Sequence, residues 1–238
     1  MADAISIAAR IMADDLFRLN VISQNLANAG TTGYKKEVVV ARPFVDYLQQ
    51  NVTVSMPALS STIDPRQGSL TQTASALDLA IEGGGFFELA GAEGPLYTRQ
   101  GSFRLDGRGR LVTPAGIPVV GGGGEITLSG TQPSIDRQGR IFEGERFVAQ
   151  LKIVSFADPA RLTPLGGGLY AASSQVRGAG EPSTEPLQVR QGFLESSNVV
   201  TLPEMVRMIE LTRRFESASK IAQGYDGMLG AAMRIAEF

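Results

Sequence analysis

Two stretches with helical spacing stand at opposite ends of the chain, and most of its glycine and proline lies between them. Residues 3–28 contain neither Gly nor Pro. Within them Ile5, Ala9, Met12, Leu16, Leu19, Ser23 and Leu26 recur at alternating spacings of four and three, and Ile5, Met12, Leu19 and Leu26 fall seven apart. A seven-residue repeat of apolar side chains draws one narrow line along a helix, the pattern of a coiled-coil seam. Gly30 and Gly33, with Thr31 and Thr32 between them, predict the helix end and a turn.

The C-terminal stretch is longer. Thr201 as N-cap and Glu204 at the third helical position read as a capping box, and Pro203 falls in the first turn, where its missing N–H does no harm. Met205, Met208, Leu211, Phe215, Ala218, Ala222, Tyr225, Leu229, Ala232 and Ala236 then keep 3/4 spacing. A helix over 202–237 would be roughly 50 Å long at 1.5 Å per residue. A partial second stripe, Val206, Ile209 and Ile221, points to more than one packing neighbour. Gly224, Gly227 and Gly230 each weaken an isolated helix by about 1 kcal/mol relative to Ala, a cost that packed neighbours offset. Ordinary core helices would carry such stripes too. Their position at the two ends and their narrow, Ala- and Met-rich seams favour helices that need partners.

Between them the pattern is β. Leu77–Ile81 alternates and runs into Gly83-Gly-Gly-Phe-Phe87. Residues 103–112 read as strand, tight turn, strand, and Asp106-Gly-Arg-Gly-Arg-Leu111 has a counterpart thirty residues on in Asp136-Arg-Gln-Gly-Arg-Ile141. Asp opens such a turn by bonding nearby backbone, and Gly takes its positive φ. Residues 147–156 form a strand of period two, and Asp158-Pro159, Thr163-Pro164 and Gly166–Gly168 break the chain. The expected fold is α+β: long N- and C-terminal helices forming a coiled-coil-like pair, with a central all-β domain inserted between them. The expected organisation is an assembly helix and exit turn over 1–34, an extended linker over 35–66, the β domain over 67–190 and a second assembly helix over 191–238.

Composition closes several functional routes. The chain has no Cys, His or Trp, which removes disulfides, zinc–thiolate sites, imidazole ligands and the common nucleophilic pairs. Net charge is −2 with 19% charged residues, and only Lys35-Lys36 and Arg213-Arg214 are adjacent basic pairs, so a phosphate-tracking face is not expected. The glycine runs 83–85 and 121–124 lead into strands rather than helices and lack a GK[ST] sequence, so they read as turns, not nucleotide cradles. Asp106 and Asp136 stand singly beside arginines, unlike a calcium loop. Asp14-Asp15 and Glu143/Glu145 do not read as an acid/base pair. No catalytic residue, cofactor or metal is expected. No window approaches about 18 consecutive apolar residues, so no membrane insertion is expected. Asp3, Arg10, Asp14 and Asp15 interrupt the apolar run that a cleaved secretory signal needs, which alone would suggest a cytoplasmic chain.

The segment Asn25-Leu-Ala-Asn-Ala-Gly-Thr-Thr-Gly-Tyr-Lys-Lys36 is the most distinctive, and physics alone reads it as a helix end with a tight exit. It resembles the ANANTPGYK-like signature of the flagellar axial family of rod, hook and hook-associated proteins. Three further stretches agree in order. Leu77–Phe87 is similar to the family's LDVAIxGxGFF. Tyr97–Phe103 with Leu105-Asp106 and Gly109–Val112 is similar to YTRxGxFxxDxxGxLV. Gln191–Val199, Glu204–Glu210 and Arg214–Glu216 are similar to GxLExSNVxxxxEMxxMIxxxRxxE. The resemblance implies a structural, non-catalytic rod subunit, in the basal body across the periplasm, exported by the flagellar type III apparatus without a cleaved signal. It implies other rod proteins and copies of the chain itself as partners. Assembly would run through Ile5, Met12, Leu16, Leu19, Leu26, Met208, Leu211, Phe215, Tyr225 and Leu229, with Asn25, Asn28, Gly33 and Tyr34 shaping the exit turn. A single β insert in 238 residues fits both the proximal-rod and the distal-rod types, and the absence of the distal-rod type's GVRV-like stretch, in whose place stand Gln49-Gln-Asn-Val52 and Met56-Pro57, favours the proximal-rod type. A carbohydrate-acting β domain would need clustered acids and aromatics, against 7% aromatics and no Trp. A fibre protein of another secretion system would not predict four motifs in order.

Overall fold

A computed structural model describes residues 2–41, 59–130, 132–172 and 187–236. The substituted GVRV-like stretch, at 49–52 and 56–57, lies outside these residues, as does most of the span expected to be a linker. The described residues contain two α-helices, α1 (Ala2–Ala27) and α2 (Thr201–Ala236), one 3-10 turn (Pro159–Arg161) and eighteen short strands. They fall into two compact units. One comprises α1, residues 37–41 and 59–61, and α2; the other comprises residues 28–36 and 62–199.

In the second unit the largest sheet runs in the order β14 (Ile153–Ser155), β5 (Gly85–Gly91), β6 (Gly94–Thr98), β16 (Leu169–Ala171), β15 (Thr163–Gly166), antiparallel throughout. Its two faces serve two cores, because successive side chains on a strand point opposite ways. Phe86, Tyr97 and Tyr170 join Ile63, Phe156 and Leu162 on one face. Phe87 and Leu89 join Leu79, Phe103, Leu111, Val119, Ile141 and Leu151 on the other, with Leu96, Ile153 and Leu169 against them. The register enforces this split: Val154 pairs with Phe86, Ile153 with Phe87, and Tyr170 with Tyr97. Edge-to-face ring contacts of Phe86–Tyr170 at 5.8 Å and Tyr97–Phe156 at 4.8 Å consolidate the smaller core.

The other strands form small ladders. β11 (Ser134–Ile135), β12 (Arg140–Glu143) and β13 (Arg146–Gln150) make a three-stranded sheet. Two-stranded sheets pair β1 (Glu37–Ala41) with β2 (Leu59–Ile63), β3 (Leu70–Gln72) with β18 (Phe193–Glu195), β4 (Leu79–Glu82) with β17 (Gln188–Gln191), β7 (Arg104–Leu105) with β8 (Leu111–Val112), and β9 (Val120–Gly121) with β10 (Gly124–Glu125). The two related Asp turns share one geometry. Oδ1 of Asp106 accepts the N–H of Arg108 at 2.8 Å and of Arg110 at 2.9 Å. Oδ1 of Asp136 accepts the N–H of Gln138 at 2.9 Å and of Arg140 at 3.0 Å. In each, the closing arginine donates Nε to the other carboxylate oxygen, and the glycine before it sits at φ 75°.

In the first unit α1 and α2 touch, but the coiled-coil-like pairing expected from the heptad spacing is overturned. Of the expected seam on α1, Ala9, Leu16 and Ser23 are exposed. Burial runs instead along Asp15, Ile22 and Asn25, spaced seven and three, with Val21 beside them. Two of those residues are polar, so hydrogen bonds and charge rather than an apolar zipper select the face that turns inward. The α+β class itself fits: two terminal helices bracket a mostly β region.

Candidate assembly elements and a buried polar clasp

On α1, Met12, Leu19 and Leu26 are half-buried and Leu16 is 53% exposed. On α2, Met208, Leu211, Phe215 and Tyr225 are half-buried along one stripe. The side chains of Ile5 and Leu229 lie outside the described residues. Asp15 is fully buried and receives Arg214 in a two-pronged contact, Nε to Oδ2 at 2.8 Å and the terminal nitrogen to Oδ1. Such forked pairing fixes the orientation of both side chains. It sets the register of α1 on α2 at a point the apolar pattern does not mark. At the start of α2, Glu204 is buried and accepts from Arg207 at 3.0 Å. The opposite side of that first turn is apolar and exposed: Val200, Leu202, Met205, Val206 and Ile209.

After α1 the chain turns tightly. Asn28 accepts the Thr31 N–H at 3.0 Å on its carbonyl and the Thr31 hydroxyl at 3.2 Å on its side chain. Gly33 has φ 68°, and a Cβ there would collide with the Arg99 carbonyl, so glycine serves both the turn and the close approach. Tyr34 is buried in the second unit, while Asn25 acts in the first. Asn25 Nδ2 donates to the Glu37 carbonyl and its Oδ1 accepts the Glu37 N–H, both at 2.8 Å. A carboxamide used this way imitates one rung of a β-ladder and ties α1 to the first residue of β1. Burial pushes the Glu37 carboxyl above its ordinary range, against a hydrogen bond from Ser61.

The sequence reading missed the most consolidated feature, a buried clasp in the second unit. Lys35 Nζ donates to Glu195 Oε1 at 2.5 Å and to the Arg66 carbonyl at 2.8 Å. Arg99 donates to Glu195 Oε2 at 3.1 Å and to the carbonyls of Ile81 and Gly83, and lies 5.2 Å from the Phe86 ring. All three charged side chains are essentially inaccessible to water. Burial lowers the Lys35 ammonium below its usual range; Glu195 opposes the shift and Arg99 adds to it. Burial likewise lowers Arg99, opposed by Glu195. Asn198 completes the clasp: Oδ1 accepts the Lys36 N–H at 2.7 Å, and Nδ2 donates to the carbonyls of Asp64 at 3.1 Å and Arg66 at 2.9 Å. The available signal was a charged or carboxamide residue inside each motif block: Lys35, Arg99, Glu195 and Asn198. Sequence spacing does not say that the blocks meet. Its polar atoms pair with one another and with backbone, save Arg99 Nε, which is buried without a hydrogen-bond partner, and the arrangement presents no reacting group. Among the described residues no group of three or more acidic side chains is placed to hold a metal ion, and no helix is long and apolar enough to cross a membrane.

Comparison with known proteins places these elements in a family. Residues 5–35 match the family described as flagella basal body rod protein, residues 80–143 the flagellar hook protein FlgE/F/G D1 domain, and residues 190–235 the flagellar basal body rod FlgEFG protein C-terminal. A flagellar basal-body rod protein FlgF of Caulobacter vibrioides is 34% identical over 211 residues, covering 85% of each chain. A FlgG of Borreliella burgdorferi is 33% identical over 266 residues, covering 98% of each, and a FlgG of Bacillus subtilis is 34% identical, covering 89% of this chain and 90% of its own. With all three segments matched in order and relatives aligned over nearly its whole length, the chain belongs to the FlgE/F/G family of flagellar basal-body rod proteins.

Proposed function

We propose that this chain assembles as an F-type, proximal-rod subunit, through the exposed apolar edges of its two terminal helices. As a member of its family it is a structural, non-enzymatic subunit of the flagellar basal-body rod. The observation that carries the assembly reading is on α2. Leu202, Met205, Val206 and Ile209 recur at i, i+3, i+4 and i+7, and Leu202 and Ile209 are 70% and 55% exposed. Their helix already turns its other stripe inward. Large apolar side chains in a row at one helix face mark a site for another protein. Ile11 and Leu16 give α1 a smaller exposed set.

In this reading the partners are other flagellar axial subunits and copies of the chain, joined head to tail, since heterologous contacts that do not close generate helical filaments. Residues 1–34 and 191–238 carry assembly, 35–66 link, and the β domain over 67–190 sets lateral packing. The rod crosses the periplasm, transmits motor torque, and receives this subunit through the type III apparatus. The F-type reading has support in alignment length. The Borreliella FlgG needs 266 aligned positions against a chain of 238, whereas the Caulobacter FlgF needs 211 to cover 85% of it. The Borreliella FlgG thus carries inserted residues that this chain lacks.

The test is location. An epitope-tagged chain is traced by immunogold in purified basal bodies. Label confined to the membrane-proximal rod is expected; label along the distal rod would reassign it to the G type, and none in the rod would overturn the reading.

A further inference from the structure

Three backbone segments run beside one another at the edge of the β unit: residues 33–36, 64–69 and 195–198. Gly33 N–H donates to the Glu195 carbonyl at 2.7 Å, Asp64 N–H to the Lys36 carbonyl at 2.8 Å, and Ser196 N–H to the Ser69 carbonyl at 2.8 Å. Each segment adjoins an element of the other unit. Lys36 precedes the first residue of β1, Asp64 follows the last residue of β2, and Asn198 stands three residues before α2.

The Asn198 carboxamide touches all of them at once. It accepts from Lys36 and donates to Asp64 and Arg66, while its own N–H donates to the Tyr34 carbonyl at 3.4 Å. An acceptor and two donors in one short planar group are what a carboxamide offers. Aspartate would keep the acceptor and lose both donors, setting a negative charge against two carbonyl oxygens. Serine would keep one hydroxyl at a shorter reach.

We propose that Asn198 is a positioning residue for rod assembly: within the β unit its carboxamide fixes the spacing of the three backbone segments that lead to β1, from β2 and to α2, so that the chain passes to the assembling elements from three fixed points. The inference rests on the rod-subunit reading above. It goes beyond it by assigning to a half-buried side chain, outside the apolar edges, the task of holding their points of departure.

The experiment replaces the chromosomal copy with full-length wild type, Asn198→Asp, Asn198→Ser or Ile141→Val. Ile141 lies in the β core, away from the clasp, and serves as the stability control. Thermal midpoints are measured on the purified chains, and the amount of subunit in purified basal bodies on the cells. Both Asn198 variants are expected to lose incorporation by roughly tenfold or more, the scale of losing about two hydrogen bonds from a three-way contact, while Ile141→Val, at a matched or larger drop in Tm, incorporates like wild type. Incorporation of the Asn198 variants that simply follows Tm on the same line as Ile141→Val would reduce Asn198 to a stability residue and overturn the proposal. Should Asn198→Asp fail to fold, the neutral Asn198→Ser decides it. Wild-type chain missing from the rod would instead overturn the underlying reading, so the two failures are distinguishable.

Discussion

Lys35 and Glu195, 160 positions apart in the chain, meet as a buried ion pair at 2.5 Å in which neither side chain reaches solvent. Arg99 shares the same carboxylate. Two cations on one buried anion make the partners unequal. Glu195→Gln leaves both cations without a counter-charge and is expected to destabilise the chain by about 3–5 kcal/mol. Lys35→Met leaves the Arg99–Glu195 pair intact and is expected to cost clearly less. Denaturant unfolding of the two purified variants gives the order, and a larger loss for Lys35→Met would refute this description of the clasp.

Gly33 makes a second demand on the same region. Its φ of 68° and the nearby Arg99 carbonyl leave no room for a side chain. Gly33→Ala is expected to cost about 1–3 kcal/mol, combining backbone strain with the collision. Gly84→Ala is the control, since an added Cβ there meets open space. Equal midpoints in denaturant for the two variants would contradict the prediction.

The Asp15–Arg214 fork should register as a coupling rather than as two independent losses. Arg214→Ala leaves a buried carboxylate without its guanidinium partner, whereas Asp15→Asn with Arg214→Met removes the charges together. The double-mutant cycle is expected to give a coupling of about 1–3 kcal/mol in unfolding followed by helical circular dichroism. Additive losses would show that the fork does not hold α1 to α2.

Acid stability follows from the turn carboxylates. Hydrogen bonds from backbone and from Arg110 hold Asp106 below its ordinary 3.8. For Asp136, burial pushes upward, but bonds from Arg140 and Gln138 outweigh it and the net shift is downward from 3.8. A carboxyl with a folded-state value below its unfolded one contributes stability that is complete above the unfolded value and lost as pH falls through the folded one. Melting temperature is therefore expected to decline below about pH 4, less steeply in Asp106→Asn with Asp136→Asn. Glu37 has the opposite sign: its raised value gives stability that is full below its ordinary 4.5 and lost as pH rises through the raised value. Glu37→Gln should flatten that limb. An unchanged pH profile in both variants would contradict these assignments.

Much of this architecture is legible in local pattern. Pro203 after Thr201 and an unbroken 3/4 stripe predict a helix over 202–237, and α2 spans Thr201–Ala236. Asp106 and Asp136 announce their turns because an Asp turn is written in five consecutive residues. The coiled-coil seam failed for a physical reason. Periodicity reports which side chains are apolar, but the buried line on α1 passes through Asp15 and Asn25, whose partners Arg214 and Glu37 supply the hydrogen bonds that permit burial. The clasp was illegible for a related reason. Lys35, Arg99 and Glu195 look like ordinary surface charges until the fold brings three distant blocks together.

What the exposed edge of α2 touches in the rod decides whether the subunit assembles through it. Because the chain has no Cys, a single Leu202→Cys or Ile209→Cys introduces one addressable thiol. Thiol-directed crosslinking is then carried out in purified basal bodies, and the adducts are resolved by mass spectrometry. Adducts joining that position to a neighbouring axial subunit or a second copy of the chain are predicted. A thiol that labels freely with small reagents in the assembled rod and links to no neighbour would contradict assembly through this edge.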